Sequence, residues 1–196
     1  MIRHHLALAS GVLTAGSVVP YLVSIARGYT RPQRMTWFVF ALLETIAAVS
    51  LISEGNELGA LLAVGLAAGS TIIFIVSLWT GVGGSSRAGR SALAIALVGV
   101  VLSVRVGEPI VALAAVIVAI GLTVHKVRAD PTSEAGALWA IDTFAGVLAI
   151  IAVSGPLGFE LAYPVHHTVV SFAVLLTVTR SRSQVVLNPS GYRQAA

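Results

Sequence analysis

Two acidic residues sit inside otherwise apolar stretches of this chain, Glu44 within 35–52 and Asp142 within 135–153. Charge is costly in hydrocarbon, so an acid placed there marks a solute or proton path by default. Glu44 lies seven residues past Trp37, and Asp142 three past Trp139. At about 100° per residue, the two acids fall within about 40° of the same helix face and about 6 Å apart in depth. Carboxyls on equivalent faces of partner helices suit proton pickup and release. The competing reading is that each acid is protonated, or hydrogen-bonded to a neighbouring helix.

Other polar groups extend the set. His166 and His167 follow Pro164 in the stretch 161–178. Histidine titrates near neutrality and can relay protons. Adjacent helical residues diverge by about 100°, so one of the pair, taken as His167, is expected to face a central path. Ser70 and Thr71 lie just beyond Gly65-Leu66-Ala67-Ala68-Gly69, whose small residues allow close helix packing, and add hydroxyls to a cavity. Pro20 removes a backbone bond within the first apolar run and is a candidate hinge, or else a static bend. No nucleophile–base set is recognisable, cysteine is absent, and the histidine pair lacks an i,i+4 ligand. The glycine-rich segment 81–86 lacks the lysine of a phosphate loop. The expectation is a protein without catalytic residues, metal or cofactor.

The elements that would position these groups follow from composition. Of 196 residues, 57% are hydrophobic and 10% charged, with mean hydropathy +0.93. A soluble domain carries roughly 25% charge, so too little polar material is present to cover a water-facing globule. A soluble enzyme, a disordered tail and a nucleic-acid binder are excluded, despite a net charge of +4. A helix crosses hydrocarbon in about 20 residues. Seven apolar runs of about that scale appear, at 6–25, 35–52, 57–79, 91–104, 110–127, 135–153 and 161–178. Arg3, His4 and His5 resemble the start of a signal peptide, but the apolar run before the small residues 7–11 is too short for one. The fold class expected is an all-α integral membrane protein with seven transmembrane helices.

Orientation follows from the basic residues. With seven spans, ten Lys and Arg fall on one side (Arg27, Arg31, Arg34, Arg87, Arg90, Lys126, Arg128, Arg180, Arg182, Arg193) and two, Arg3 and Arg105, on the other. The positive-inside rule then places the N-terminus outside and the C-terminus in the cytoplasm of a cell-membrane protein. Trp37, Trp79 and Trp139 all fall at the cytoplasmic ends of spans, as an aromatic belt would place them.

A shift of 102 residues aligns Trp37 with Trp139 and Thr30 with Thr132, and one further residue aligns Glu57-Leu58 with Glu160-Leu161. Two parallel three-helix repeats joined by a linker helix, a 3+1+3 plan, account for this. The boundaries expected are 1–79 for the first repeat and 80–107 for the glycine-rich loop and linker helix. The second repeat takes 108–180 and a polar cytoplasmic tail 181–196. This plan and the segment from Val18-Val19-Pro20-Tyr21 to Arg27-Gly28 resemble the PQ-loop and SWEET superfamily of small-solute transporters, and the stretch 29–42 is similar to a bacterial PQ-loop-like branch. Pro20 matches the family proline, Tyr21 stands in place of its glutamine, and the second repeat has Leu122-Thr123 there. Pro32-Gln33 matches the letters but falls in a loop. The resemblance implies alternating access around a midplane site, with the bilayer, an unknown small solute and protons as partners and Pro20 as hinge. Candidate lining residues are Glu44, Asp142, Ser70, Thr71 and His167. A receptor or scaffold subunit of the same fold is the alternative, and a homo-oligomer is compatible with either.

Overall fold

The computed structural model describes residues 1–83, 87–106, 110–153 and 159–187. Seven helices lie among them: α1 (Ile2–Ala26), α2 (Arg34–Ser53), α3 (Glu57–Thr80), α4 (Arg87–Val106), α5 (Ile110–Ala129), α6 (Gly136–Ala152) and α7 (Phe159–Leu187). Six of the seven expected runs fall inside a helix, and the sixth in order, 135–153, overruns α6 by one residue at each end. The helices outreach the apolar runs mainly at polar ends. Thus α1 takes in Arg3, His4 and His5, and α4 begins at Arg87 rather than at 91. The expected tail from 181 is helical as far as Leu187. Residues 84–86 of the glycine-rich loop and 188–196 of the tail lie outside the described residues.

Local chemistry sets the helix ends. The Gln33 side chain accepts from the Thr36 N–H at 2.8 Å, and that of Asn56 from the Gly59 N–H at 2.8 Å, capping α2 and α3. At the other ends of α1 and α2, Gly28 and Gly55 take φ of 75°. The paired bonds Tyr29 N–H to Ser24 C=O (3.0 Å) and Gly28 N–H to Ile25 C=O (2.9 Å) close α1 in a Schellman motif. Asn56 to Leu51 and Gly55 to Ile52 do the same for α2. Glycine belongs at both positions because a Cβ is disfavoured in the left-handed region.

Packing brings distant helices together. Helix α1 lies against α3 and α6, and α2 against α3, α5 and α4. Helix α5 lies against α4 and α7, and α6 against α7. The α1–α3 contact uses the small-residue pattern: a Cβ on Gly65 would run into the Thr14 hydroxyl and come within 2.6 Å of the Gly11 carbonyl, while one on Gly69 would meet Val18 at 2.6 Å. Two apolar clusters result. One gathers Tyr21, Trp37, Phe40, Ile73, Leu138 and Trp139, and the other Leu51, Leu62, Leu66, Ala149 and Tyr163. Outside the bundle, Val12, Val19, Val49, Ile72, Leu78, Val169 and Phe172 are exposed. Among the described residues, four helical stretches are long and apolar enough to cross a membrane: α1, α2, α3 and Glu160–Ser183 of α7. Helix α6 is apolar and shorter, at 17 residues.

Candidate functional site

One cavity is walled by members of both apolar clusters and by six helices, all but α4. Thr14 and Ser17 come from α1, Glu44 from α2, Ser70 from α3, Asp142 from α6, and Tyr163, His166, His167 and Ser171 from α7. Its floor is aromatic. The Trp37 and Trp139 rings lie 6.0 Å apart, Phe40 lies 5.6 Å from Trp37, and Tyr21 packs on the far side of Trp37 at 5.2 Å. Space for water centres is about 40 Å³. One water needs about 10–15 Å³ of such space, so a few waters or a very small solute fit without movement.

Glu44 and Asp142 both line this cavity. They are 8% and 5% exposed. Ser70 stands beside Glu44 and Ser17 beside Asp142. Each hydroxyl donates back to its own helix, Ser17 to the Thr14 carbonyl at 2.8 Å and Ser70 to that of Ala67 at 3.3 Å. One oxygen of each acid, Oε2 of Glu44 and Oδ1 of Asp142, is buried without a hydrogen-bond donor. His167 Nε2 lies 3.3 Å from the Ser171 hydroxyl.

The remaining expectations divide. Ser70 is in the wall, but Thr71, its neighbour on α3, is not. The one-residue turn of about 100° carries Thr71 off the cavity face. Both His166 and His167 line the cavity, where one was expected. A helix pressed against a broad cavity presents two adjacent positions on either side of its inward face. Pro20 lies within α1, which is helical on both sides of it, and is absent from the wall. Trp37 and Trp139 are 5% and 2% exposed, so the aromatic belt does not describe them; only Trp79, at 76%, is outward. The reason is that α2 and α6 both turn these rings into the space between the helices.

A second polar centre, which the sequence reading did not single out, closes the bundle at the 27–33 and 130–135 turns. The Lys126 ammonium pairs with the Glu134 carboxylate and also donates to the carbonyls of Arg31, at 2.8 Å, and Ser133, at 3.3 Å. Glu134 is 1% exposed and accepts from the Trp139 indole at 3.3 Å. Arg182 on α7 donates to the Glu134 carbonyl at 2.6 Å, and the Arg31 N–H to the Ser133 carbonyl at 3.1 Å. Just inside this centre, the Thr36 hydroxyl donates across to the Ala119 carbonyl at 3.0 Å. The signal available in sequence was a lone Lys126 and Glu134 flanking Asp130-Pro131, at a spacing that only a turn brings together.

Comparison with protein-family models, curated proteins and solved structures finds no match for this chain. The functional reading therefore rests on the geometry. Among the described residues, no group of three or more His, Cys, Asp and Glu side chains is placed to hold a metal ion.

Proposed function

We propose that this chain is a multi-pass membrane protein that moves a small solute by alternating access through the central cavity. The observation that carries the reading is the burial of Glu44 and Asp142, from two different helices, in one cavity with an acceptor oxygen of each unspent. Buried polar groups are ordinarily satisfied, and the exceptions concentrate where a ligand or proton completes them. The apolar outer surface supports a lipid-facing exterior, since lipid removes the reason to hide Val and Phe. The bias of basic residues supports an outside N-terminus and a cytoplasmic C-terminus.

A 3+1+3 arrangement fits the packing. In it, α1–α3 and α5–α7 are copies, and α4 is the linker that restores a parallel orientation. The contacts of α1 with α3 and α6 then correspond to those of α5 with α7 and α2. The resemblance to PQ-loop and SWEET proteins leads to the same plan. In this orientation the Lys126–Glu134 centre and the aromatic floor form the cytoplasmic closure. At the opposite end, a hollow with about 320 Å³ of space for water centres lies beside Asn56, Glu57 and Glu160. Opening would require the two triplets to part at Arg31 and Thr36, where hydrogen bonds cross between them.

The test is uptake by proteoliposomes offered labelled sugars, amino acids and amines. At least one solute is expected to accumulate, and Glu44→Gln and Asp142→Asn each to reduce uptake to background with protein yield retained. Saturable binding without accumulation would favour a receptor, and loss of yield alone in both variants a scaffold.

A further inference from the structure

We propose that the cavity is a binding site for a small protonated amine, held by the carboxylates of Glu44 and Asp142 above the rings of Trp37, Phe40 and Trp139. This rests on reading the cavity as the functional site, but not on transport.

Charge decides the class of ligand. Two acids face the cavity, and no Lys or Arg is among its described wall residues. When ionised, the pair has no Lys or Arg to balance it. The basic groups in the wall are the imidazoles of His166 and His167, which are neutral unless protonated, and a cation brought in from outside supplies the missing charge. An anionic solute would meet repulsion from both acids. A neutral one would leave their charge uncompensated in a low-dielectric setting.

Hydrogen bonding agrees. A protonated amine has donors only, and the cavity offers acceptors that no described residue uses: Glu44 Oε2 and Asp142 Oδ1, each inaccessible to bulk solvent and without a donor among the described residues. The hydroxyls of Ser17 and Ser70 already donate to backbone carbonyls and so keep acceptor lone pairs available. The rings complete the site. Trp37, Phe40 and Trp139 lie 5.6–6.3 Å from one another in the floor, and a cation within about 6 Å of such a ring is attracted by its quadrupole. Volume sets the size. About 40 Å³ of space for water centres admits methylammonium but not a sugar or a full amino acid without opening the bundle.

The experiment uses the purified full-length protein in lipid nanodiscs. Two of its three tryptophans line the cavity, so intrinsic fluorescence reports on the site directly. Methylammonium chloride is titrated beside sodium chloride at matched ionic strength and the neutral solute acetamide. A saturable change with methylammonium alone is expected, weakened at least tenfold in Glu44→Gln and in Asp142→Asn. Glu44→Asp, which keeps the charge, is expected to retain binding, and Thr71→Val, outside the wall, to bind as the unaltered chain does. Thermal unfolding without ligand confirms that each variant is folded. The proposal is overturned by no saturable change, by an equal response to sodium or acetamide, or by unaltered binding in both charge-removing variants. Solute uptake lost in Glu44→Gln without any amine binding would overturn this inference and keep the transporter. Amine binding without uptake of any solute would keep this site and overturn transport.

Discussion

Glu134 shows how one side chain ties distant parts of the chain together. Its carboxylate joins Lys126 at the end of α5 and the Trp139 indole on α6, and its carbonyl takes Arg182 from α7. Removing one partner from a buried pair leaves an uncompensated charge, at a cost of about 3–5 kcal/mol. Lys126→Met is therefore expected to lower thermal stability more than Glu134→Gln. The amide retains an acceptor for the ammonium and the indole, whereas methionine leaves Glu134 without its cation. Melting curves of the two variants in one detergent check the order. In the cavity the balance runs the other way. Glu44 and Asp142 have unspent oxygens, so Glu44→Gln and Asp142→Asn are expected to leave melting temperature unchanged or raised while removing function. Gain or loss of stability thus separates the structural acid Glu134 from the pair proposed to bind a ligand.

Among the elements, α1 and α3 depend on the absence of side chains where they cross. Gly65→Ala would set a methyl against the Thr14 hydroxyl and the Gly11 carbonyl, which is backbone and gives way only if the helices part. Overpacking of this kind costs about 1–3 kcal/mol, so reduced yield and a lower melting temperature are expected. Gly16→Ala is the control, because nothing lies within 4 Å of its added Cβ, and helix propensity favours it slightly. Gly28→Ala and Gly55→Ala test the helix ends instead. Each has open space around it but a φ of 75°, so the cost is conformational, about 1–2 kcal/mol. Parallel melts of the four variants distinguish steric from backbone effects.

For the whole molecule, the proposed membrane topology rests on the side of the bilayer on which each turn lies. The chain contains no cysteine, so single-cysteine variants report position without background. Glu54→Cys, exposed at the α2–α3 turn, is expected to react with an impermeant maleimide on intact cells. Arg27→Cys, exposed at the α1–α2 turn, is expected to react only after permeabilisation. Labelling of both from outside would remove the seven-span topology. Ser70→Cys, in the cavity wall, is expected to react faster in the Lys126→Met background. That change loosens the hydrogen bonds at Arg31 that hold the proposed cytoplasmic end closed.

The positions of the helices were legible in the sequence because a bilayer-scale helix needs only a long apolar run between polar breakers, and both are one-dimensional features. The small-residue pattern 65–69 was legible as a packing face for the same local reason. Periodicity along each helix led to the expectation that Glu44 and Asp142 face one path, and both line the same cavity. Which faces meet was settled by tertiary structure alone. Periodicity distinguished Ser70 from Thr71 by an angle but gave no direction for the cavity, and in an all-apolar helix no polar stripe marks the outside. Trp37 and Trp139 carried the composition of an interface belt and became a buried floor because α2 and α6 turn towards each other. The Lys126–Glu134 centre was invisible for a related reason: its partners come from turns and helix ends up to 95 residues apart, brought together only by three-dimensional packing.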